Sequence, residues 1–254
     1  MKRGVVLQLI GILVLLSSCV AKKDILYLND LKPNENTDFQ WSDVVVQPND
    51  IISVKITSED LDLAIPYNLA SGQQVLQGTQ LLLQGYLVSN EGKINIPVLG
   101  EIEVKNLSYS QIETKIQDEL KTKQLLKNPI VVCRILNAKV TVLGEVKSPG
   151  TYTFYENNLT ILQALGLAGD LSINGVRTNI KIIRLENNQQ LIGEIDLTKK
   201  NWMNSPYYFI KPNDVIIIAP NTAKVKSAGI IGNAGTLLGT LSVILSSFLL
   251  IRSL

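Results

Sequence analysis

Histidine is absent from this 254-residue chain. With it go the commonest general base and the commonest side-chain metal ligand. Cysteine is nearly absent, present only as Cys19 and Cys133. Cys19 closes an amino-terminal leader, so Cys133 has no other cysteine to pair with inside a mature chain and no intrachain disulfide is expected. Cys133 lies in Ile130-Val131-Val132-Cys133-Arg134-Ile135, an apolar strand pattern, and reads as a small buried hydrophobe. GxxxxGK loops, GxSxG elbows and zinc-ligand spacings are missing. So is an excess of charge of one sign. Without residues 1–18, which remove Lys2 and Arg3 from the 24 basic residues, the chain balances its 22 acidic ones and is formally neutral. A neutral chain offers no basic field for nucleic acid. Glu59, Asp60 and Asp62 crowd together and read as a solvated loop. Catalysis by a carboxylate pair stays open at this stage, because it depends on a spatial separation that sequence does not display. No enzyme activity, cofactor or metal is expected.

What is present is concentrated first at the carboxyl end. Residues 227–251 carry no charge, with Lys226 before them and Arg252 after. As one helix they would extend roughly 37 Å, enough to cross a bilayer with some tilt. On a helical wheel Ile230, Ile231, Leu237, Leu238, Leu241, Ile244, Leu245, Phe248 and Leu249 share one broad face. The other side carries a stripe of small residues, Ala228, Gly232, Gly235, Gly239, Ser242 and Ser246, flanked by Asn233, Thr236, Thr240 and Ser247. Such sorting predicts a transmembrane helix with lipid on one side and other helices or water on the other. Small residues at this spacing also suit a simple helix dimer.

The amino end carries a different signal. Lys2 and Arg3 precede an apolar core, Val5 to Leu16, too short to span a bilayer. It ends in Leu16-Ser17-Ser18-Cys19, which resembles the lipobox of bacterial lipoproteins. That resemblance implies removal of residues 1–18 and acylation of Cys19, with two or more acyl chains at about 0.8 kcal/mol per buried methylene holding the chain to a membrane. Val20 follows the cysteine. An Asp there would resemble an inner-membrane retention signal, so Val20 favours the outer membrane.

The roughly 200 residues between suit two small domains. Residues 19–40 are polar and turn-rich and read as a tether. From Trp41 β signals begin, with short strands at 44–46 and 51–56 around the turn Gln47-Pro48-Asn49-Asp50. Residues 57–80 lack a clear period and read as a long loop. Strands at 85–88 and 94–96 flank Asn90-Glu91-Gly92-Lys93. Ser108-Tyr109-Ser110-Gln111 fits a capping box, and Ile112, Ile116 and Leu120 mark the buried face of a helix ending near Lys123. A strand over 130–136 closes the first module. The second predicts strands over 140–144 and 151–155, a helix over Ile161–Leu167 capped by Asn158 or Thr160, a hairpin 180–185/191–197 about Asn187-Asn188, and a last strand over 210–219. Gln47-Pro48-Asn49-Asp50-Ile51-Ile52 is echoed by Lys211-Pro212-Asn213-Asp214-Val215-Ile216. Each reads as a turn that launches an apolar strand, with the Asp capping the turn backbone.

Three of these segments resemble the polysaccharide export outer-membrane lipoproteins of the Wza type. Pro48-Asn49-Asp50-Ile51-Ile52-Ser53-Val54 is similar to that family's P-G-D-x-[LI]-x-[VI], with Asn49 in place of Gly. Asn90 to Gly100 is similar to its D-G-x-I-x-x-P-x-x-G strand pair. Val142-Leu143-Gly144-Glu145-Val146-Lys147-Ser148-Pro149-Gly150-Thr151-Tyr152 resembles the start of a SLBB (soluble-ligand-binding β-grasp) domain, continued by residues 163–170 with Asp170 where the family has a second Gly. The resemblance implies a homo-oligomeric ring and an outer-membrane channel exporting capsular or extracellular polysaccharide. It implies an inner-membrane polysaccharide co-polymerase or tyrosine-kinase-like partner, contact with outer-membrane lipid, and a lipid-anchored chain whose bulk is periplasmic. In that setting Asn233, Thr236, Thr240 and Ser247 would face a lumen, and the small stripe would pack helix on helix. The alternative is a periplasmic glycan-binding or adaptor lipoprotein anchored to a partner envelope complex. The chain has room for one SLBB domain, read as scaffold rather than as a sugar site. The expected fold is α+β: a signal peptide (1–18), a tether (19–40), a polysaccharide export domain (41–137), a β-grasp-like SLBB domain (138–221) and a C-terminal transmembrane helix (227–251).

Overall fold

Alternating β-branched residues build the first sheet. The structure, a computed structural model, describes residues 22–34, 43–69, 82, 84–186, 189–229 and 234–253. In β1 (Ile51–Thr57) the side chains of Ile52, Val54 and Ile56 point inward and their neighbours outward, the two-residue period of a half-buried strand. Part of the expected loop over 57–80 is helical: α1 (Leu61–Ala64), whose Asp62 N–H is capped by the Asp60 side chain, then a 3-10 turn over Ile65–Tyr67. Asn68 then turns its amide onto β1, accepting from Ile56 N–H and donating to Ile56 C=O at 2.9 Å each. A single side chain thus stands in for a neighbouring strand at that edge. β2 (Tyr86–Leu87) pairs with the start of β1, while β3 (Lys93–Ile96) and β4 (Gly100–Glu103) form a hairpin. α2 (Tyr109–Thr122) begins with the expected Ser108/Gln111 capping box and buries Ile112, Ile116 and Leu120. β5 (Ile130–Ile135) completes an antiparallel sheet in the order β2-β1-β5. Cys133 is buried in it, and desolvation pushes its thiol up to about 12, which keeps it inert. The strand expected at 44–46 is only a bridge between Val45 and Ser108.

The second sheet is mixed. β6 (Lys139–Gly144) pairs with β7 (Gly150–Thr153), and β8 (Leu159–Thr160) leads into α3 (Ile161–Leu167), capped by a Thr160/Gln163 box. The long hairpin of β9 (Gly175–Glu186) and β10 (Gln189–Ile195) follows; its turn residues, Asn187 and Asn188, lie outside the described residues. β11 (Phe209–Ile210) pairs with β8, and β12 (Val215–Pro220) enters the centre of the sheet, parallel to β6 and antiparallel to β9, in the order β10-β9-β12-β6-β7. Val140, Val142, Ile180, Ile182 and Ile216 are buried in one core with Ile161 and Ala164 of α3. The segment read as a tether docks here, with Leu28 N–H donating to Leu197 C=O at 3.0 Å and Asn29 N–H to Thr198 C=O at 2.7 Å.

The carboxyl end corrects the expected transmembrane helix over 227–251. Among the described residues no helix is long and apolar enough to cross a membrane. The uncharged run is not one helix. α4 (Thr222–Ser227) closes at Ala228, whose N–H bonds back to Val225 C=O, and a separate helix, α5, covers Ala234–Ser253, 20 residues. Apolar and small positions are only weakly segregated around it. The fold is therefore mixed α and β, built on β-sheets, with no such span among the described residues.

Candidate functional site

The two echoed turns are the same object twice. Asn49 and Asn213 take left-handed backbone, φ 71° and 68°, which asparagine tolerates better than most residues. Asp50 Oδ2 accepts the Gln47 N–H at 2.9 Å, and Asp214 Oδ2 accepts the Lys211 N–H at 2.8 Å. Both aspartates therefore cap their turns, as the sequence echo implied, and both are buried. A short linker ties the turns together. Asn137 Oδ1 accepts from Ile51 N–H at 2.8 Å and its Nδ2 donates to Asn49 C=O at 3.0 Å, while Lys139 C=O accepts from Asn213 N–H at 2.7 Å. The turns consequently line one cavity of about 370 Å³ at the junction of the two sheets, with Asn90, Leu185 and Glu186 on its walls. The Lys211–Glu186 ion pair, 2.9 Å, borders it.

The two aspartates differ in what faces them. Arg184 donates to both Asp214 carboxylate oxygens at 2.7–3.3 Å and to the carbonyls of Pro206 and Phe209 at 2.9 Å. The side chains of Arg184 and Asp214 are only 3% and 1% exposed. The guanidinium also stacks over the Tyr207 ring, 5.0 Å from its centroid. Asp50 forms no ion pair among the described residues, and burial pushes its carboxyl up to about 6 against the opposing Gln47 hydrogen bond. The folded state thus holds a proton on Asp50 that the unfolded state has released, so stability falls as pH rises from about 4 to about 6. Asp50→Asn keeps an acceptor for Gln47 N–H. It should flatten that slope and raise stability at pH 7 by about 2 kcal/mol, measured by urea unfolding across pH 4–8. An unchanged slope would reject the assignment.

The residues singled out from sequence do not gather at this cleft. Cys19, Gly232 and Asn233 lie outside the described residues. Ala228 caps α4, and Thr236 and Thr240 are positions on α5. Gly235 and Gly239 have open space where a side chain would sit. Ser242, Ser246 and Ser247 donate to the carbonyls of Gly239, Ser242 and Val243 at 2.7–2.8 Å, turning their hydroxyls back on their own helix. Among the described residues no cluster of acids and cysteine could hold a metal ion. Sequence reasoning missed Arg184, although a signal existed: it occupies the inward parity of Ile180 and Ile182, where a charge demands a buried partner. Asp170, in a position where glycine was the expected residue, has φ 72° and uses its carboxylate to accept from Leu171 N–H at 2.7 Å and from the Tyr27 hydroxyl.

Comparison with known proteins follows the same division. Residues 40–136 match the family described as polysaccharide biosynthesis/export protein, and residues 139–194 match the SLBB domain. The chain is similar to the EPS I polysaccharide export outer membrane protein EpsA of Ralstonia solanacearum, 27% identical over 166 residues, covering 60% of this chain and 43% of that protein. It is also similar to the protein of the same name from Ralstonia nicotianae, 30% identical over 106 residues, covering 40% of this chain and 27% of that one. The matched stretch spans less than half the length of either relative.

Proposed function

We propose that the chain, whose residues 40–136 match the polysaccharide biosynthesis/export family and whose residues 139–194 match the SLBB domain, is a subunit of an outer-membrane complex that exports a polysaccharide from the periplasm to the cell surface. The observation that carries this reading is the ordered tandem of export domain and SLBB domain. The names of the similar proteins, polysaccharide export outer membrane proteins, support it. The work assigned to the chain is passage rather than bond-making. Acylation of Cys19 anchors it, its two domains lie in the periplasm, and an inner-membrane co-polymerase supplies the polysaccharide.

Copies of the chain assemble into a ring in this proposal. Leu61, Leu63 and Ile65 support it, each more than half exposed beside a groove of about 540 Å³ walled by β1 and Asn68. Such a row of exposed apolar side chains favours burial against a second copy. The test is deletion of the gene in its source bacterium, with complementation by the wild type and by the Leu61→Glu, Ile65→Glu double variant. Deletion should abolish surface polysaccharide while synthesis continues, and the double variant should restore less than a tenth of it. Light scattering of the detergent-extracted wild type should give a mass of several subunits. Unchanged surface polysaccharide on deletion rejects the export role. A monomer that persists in mild detergent rejects the ring and favours an adaptor lipoprotein.

A further inference from the structure

A second cavity lies far from the echoed turns. It encloses about 550 Å³ between the start of β9, the docked segment around Asp24 and Ile25, and α4. Arg177 of β9 lines it and is only 6% exposed. Its Nη1 donates to the Gly175 and Ser172 carbonyls at 2.9 and 3.3 Å, while its buried Nε has no hydrogen-bond partner. No carboxylate pairs with it among the described residues. The Tyr27 ring lies 5.5 Å from its centre, and the Tyr27 hydroxyl, which donates to Asp170, also interacts with the guanidinium. The contrast with Arg184 is direct: each is a buried arginine on β9 over a tyrosine ring, but of the two only Arg184 has a carboxylate paired with it among the described residues. An unneutralised guanidinium taken out of water is costly, and a charge-assisted bond to an anion would offset that cost.

The rest of the lining narrows the class of anion. The volume is far larger than a free phosphate needs and falls in the range of small-molecule sites. Ile25 and Ile173 give an apolar wall, Thr178 and Asn221 give hydroxyl and amide groups, and Lys226 adds a second cation against the single acid Asp24. An acidic sugar has this combination: a carboxylate, hydroxyls and an apolar ring face. We propose that this cavity binds a uronate-type acidic sugar residue of the exported polysaccharide, with Arg177 on its carboxylate. This rests on the export reading and specifies the substrate class within it.

The test uses the full chain in mild detergent and isothermal titration with three probes: a galacturonate trisaccharide, the neutral galactose trisaccharide and glycerol phosphate. The galacturonate trisaccharide should bind at least about 10-fold more tightly than either of the others. Arg177→Gln should weaken it about 10-fold or more, with Arg177→Lys recovering part of the loss. Lys226→Gln, an exposed position that does not threaten folding, should weaken it about 3-fold. Equal affinity for acidic and neutral trisaccharides overturns the proposal, as does an Arg177→Gln protein that is folded by circular dichroism and binds normally. Glycerol phosphate binding as tightly as the galacturonate trisaccharide overturns it in favour of a lipid headgroup. These outcomes are separate from loss of export on gene deletion, so either reading can fail without the other.

Discussion

Gly144→Ala should cost the second domain more than about 3 kcal/mol, among the largest effects available to a single methyl group. Gly144 sits at φ +94°, and a Cβ there would lie 1.9 Å from the Ile218 carbonyl oxygen and 2.9 Å from its carbon. Backbone strain alone contributes about 1–2 kcal/mol for a side chain in left-handed space. The contact adds more, because what stands in the way is the main chain of β12 rather than a flexible side chain. That carbonyl accepts from Glu145 N–H at 3.0 Å, at the end of the parallel ladder that pairs Gly144 with Ile218. An alanine must push the central strand of the sheet off its neighbour. Gly150, six residues on in the same motif, is the control. Its Cβ would meet only the Tyr152 ring, 3.8 Å away, so Gly150→Ala should be neutral within about 1 kcal/mol. Thermal melts of the two variants distinguish the roles, and equal losses would show that the clash is relieved by movement elsewhere.

That pair of glycines also shows what sequence could and could not carry. Both belong to the segment that resembled an SLBB domain, and nothing in their spacing separates the one pressed against β12 from the one at the start of β7, where a side chain has room. Local signals survived folding well because they are local. Ser108 and Gln111 close their capping box three residues apart, and Ile112, Ile116 and Leu120 need only a helix to share a face. The echoed turns were readable for the same reason: Asp50 and Asp214 cap backbone three residues away. Partners distant in sequence were not readable. Asn137 reaches 88 residues back to Asn49, Tyr27 reaches Asp170 across 143 residues, and Arg184 meets Asp214 across 30. The uncharged run at the carboxyl end failed in another way. Composition suggested one span of 25 residues, but hydrogen bonding closes α4 at Ala228, inside that run. Composition does not encode where a helix stops.

The second large effect concerns the buried pair that the echo concealed. Arg184→Met should destabilise the protein by about 3–5 kcal/mol. It removes the cation paired with Asp214 and the bonds that Arg184 donates to the Pro206 and Phe209 carbonyls. Methionine fills much of the volume, so the loss reports charge and hydrogen bonding more than a cavity. Lys211→Met provides the contrast. Its ion pair with Glu186 is a quarter to a third exposed, and such a pair contributes about 1 kcal/mol or less. Because Asp214 also holds the Lys211 N–H, the informative double variant is Arg184→Met with Asp214→Asn, which keeps an acceptor for the turn while discharging it. The double variant should be more stable than Arg184→Met alone by at least about 1 kcal/mol, a coupling that a double-mutant cycle measures directly. If Arg184→Met costs no more than Lys211→Met, the pair holds no special place in the fold. If the double variant is no better than the single one, the carbonyl bonds rather than the charge explain the arginine. The comparison with Asp50 sharpens the point: the two turns share their Pro-Asn-Asp backbone and cap, but Arg184 faces only one of them, so one aspartate is held as half of an ion pair and the other is left to titrate near pH 6.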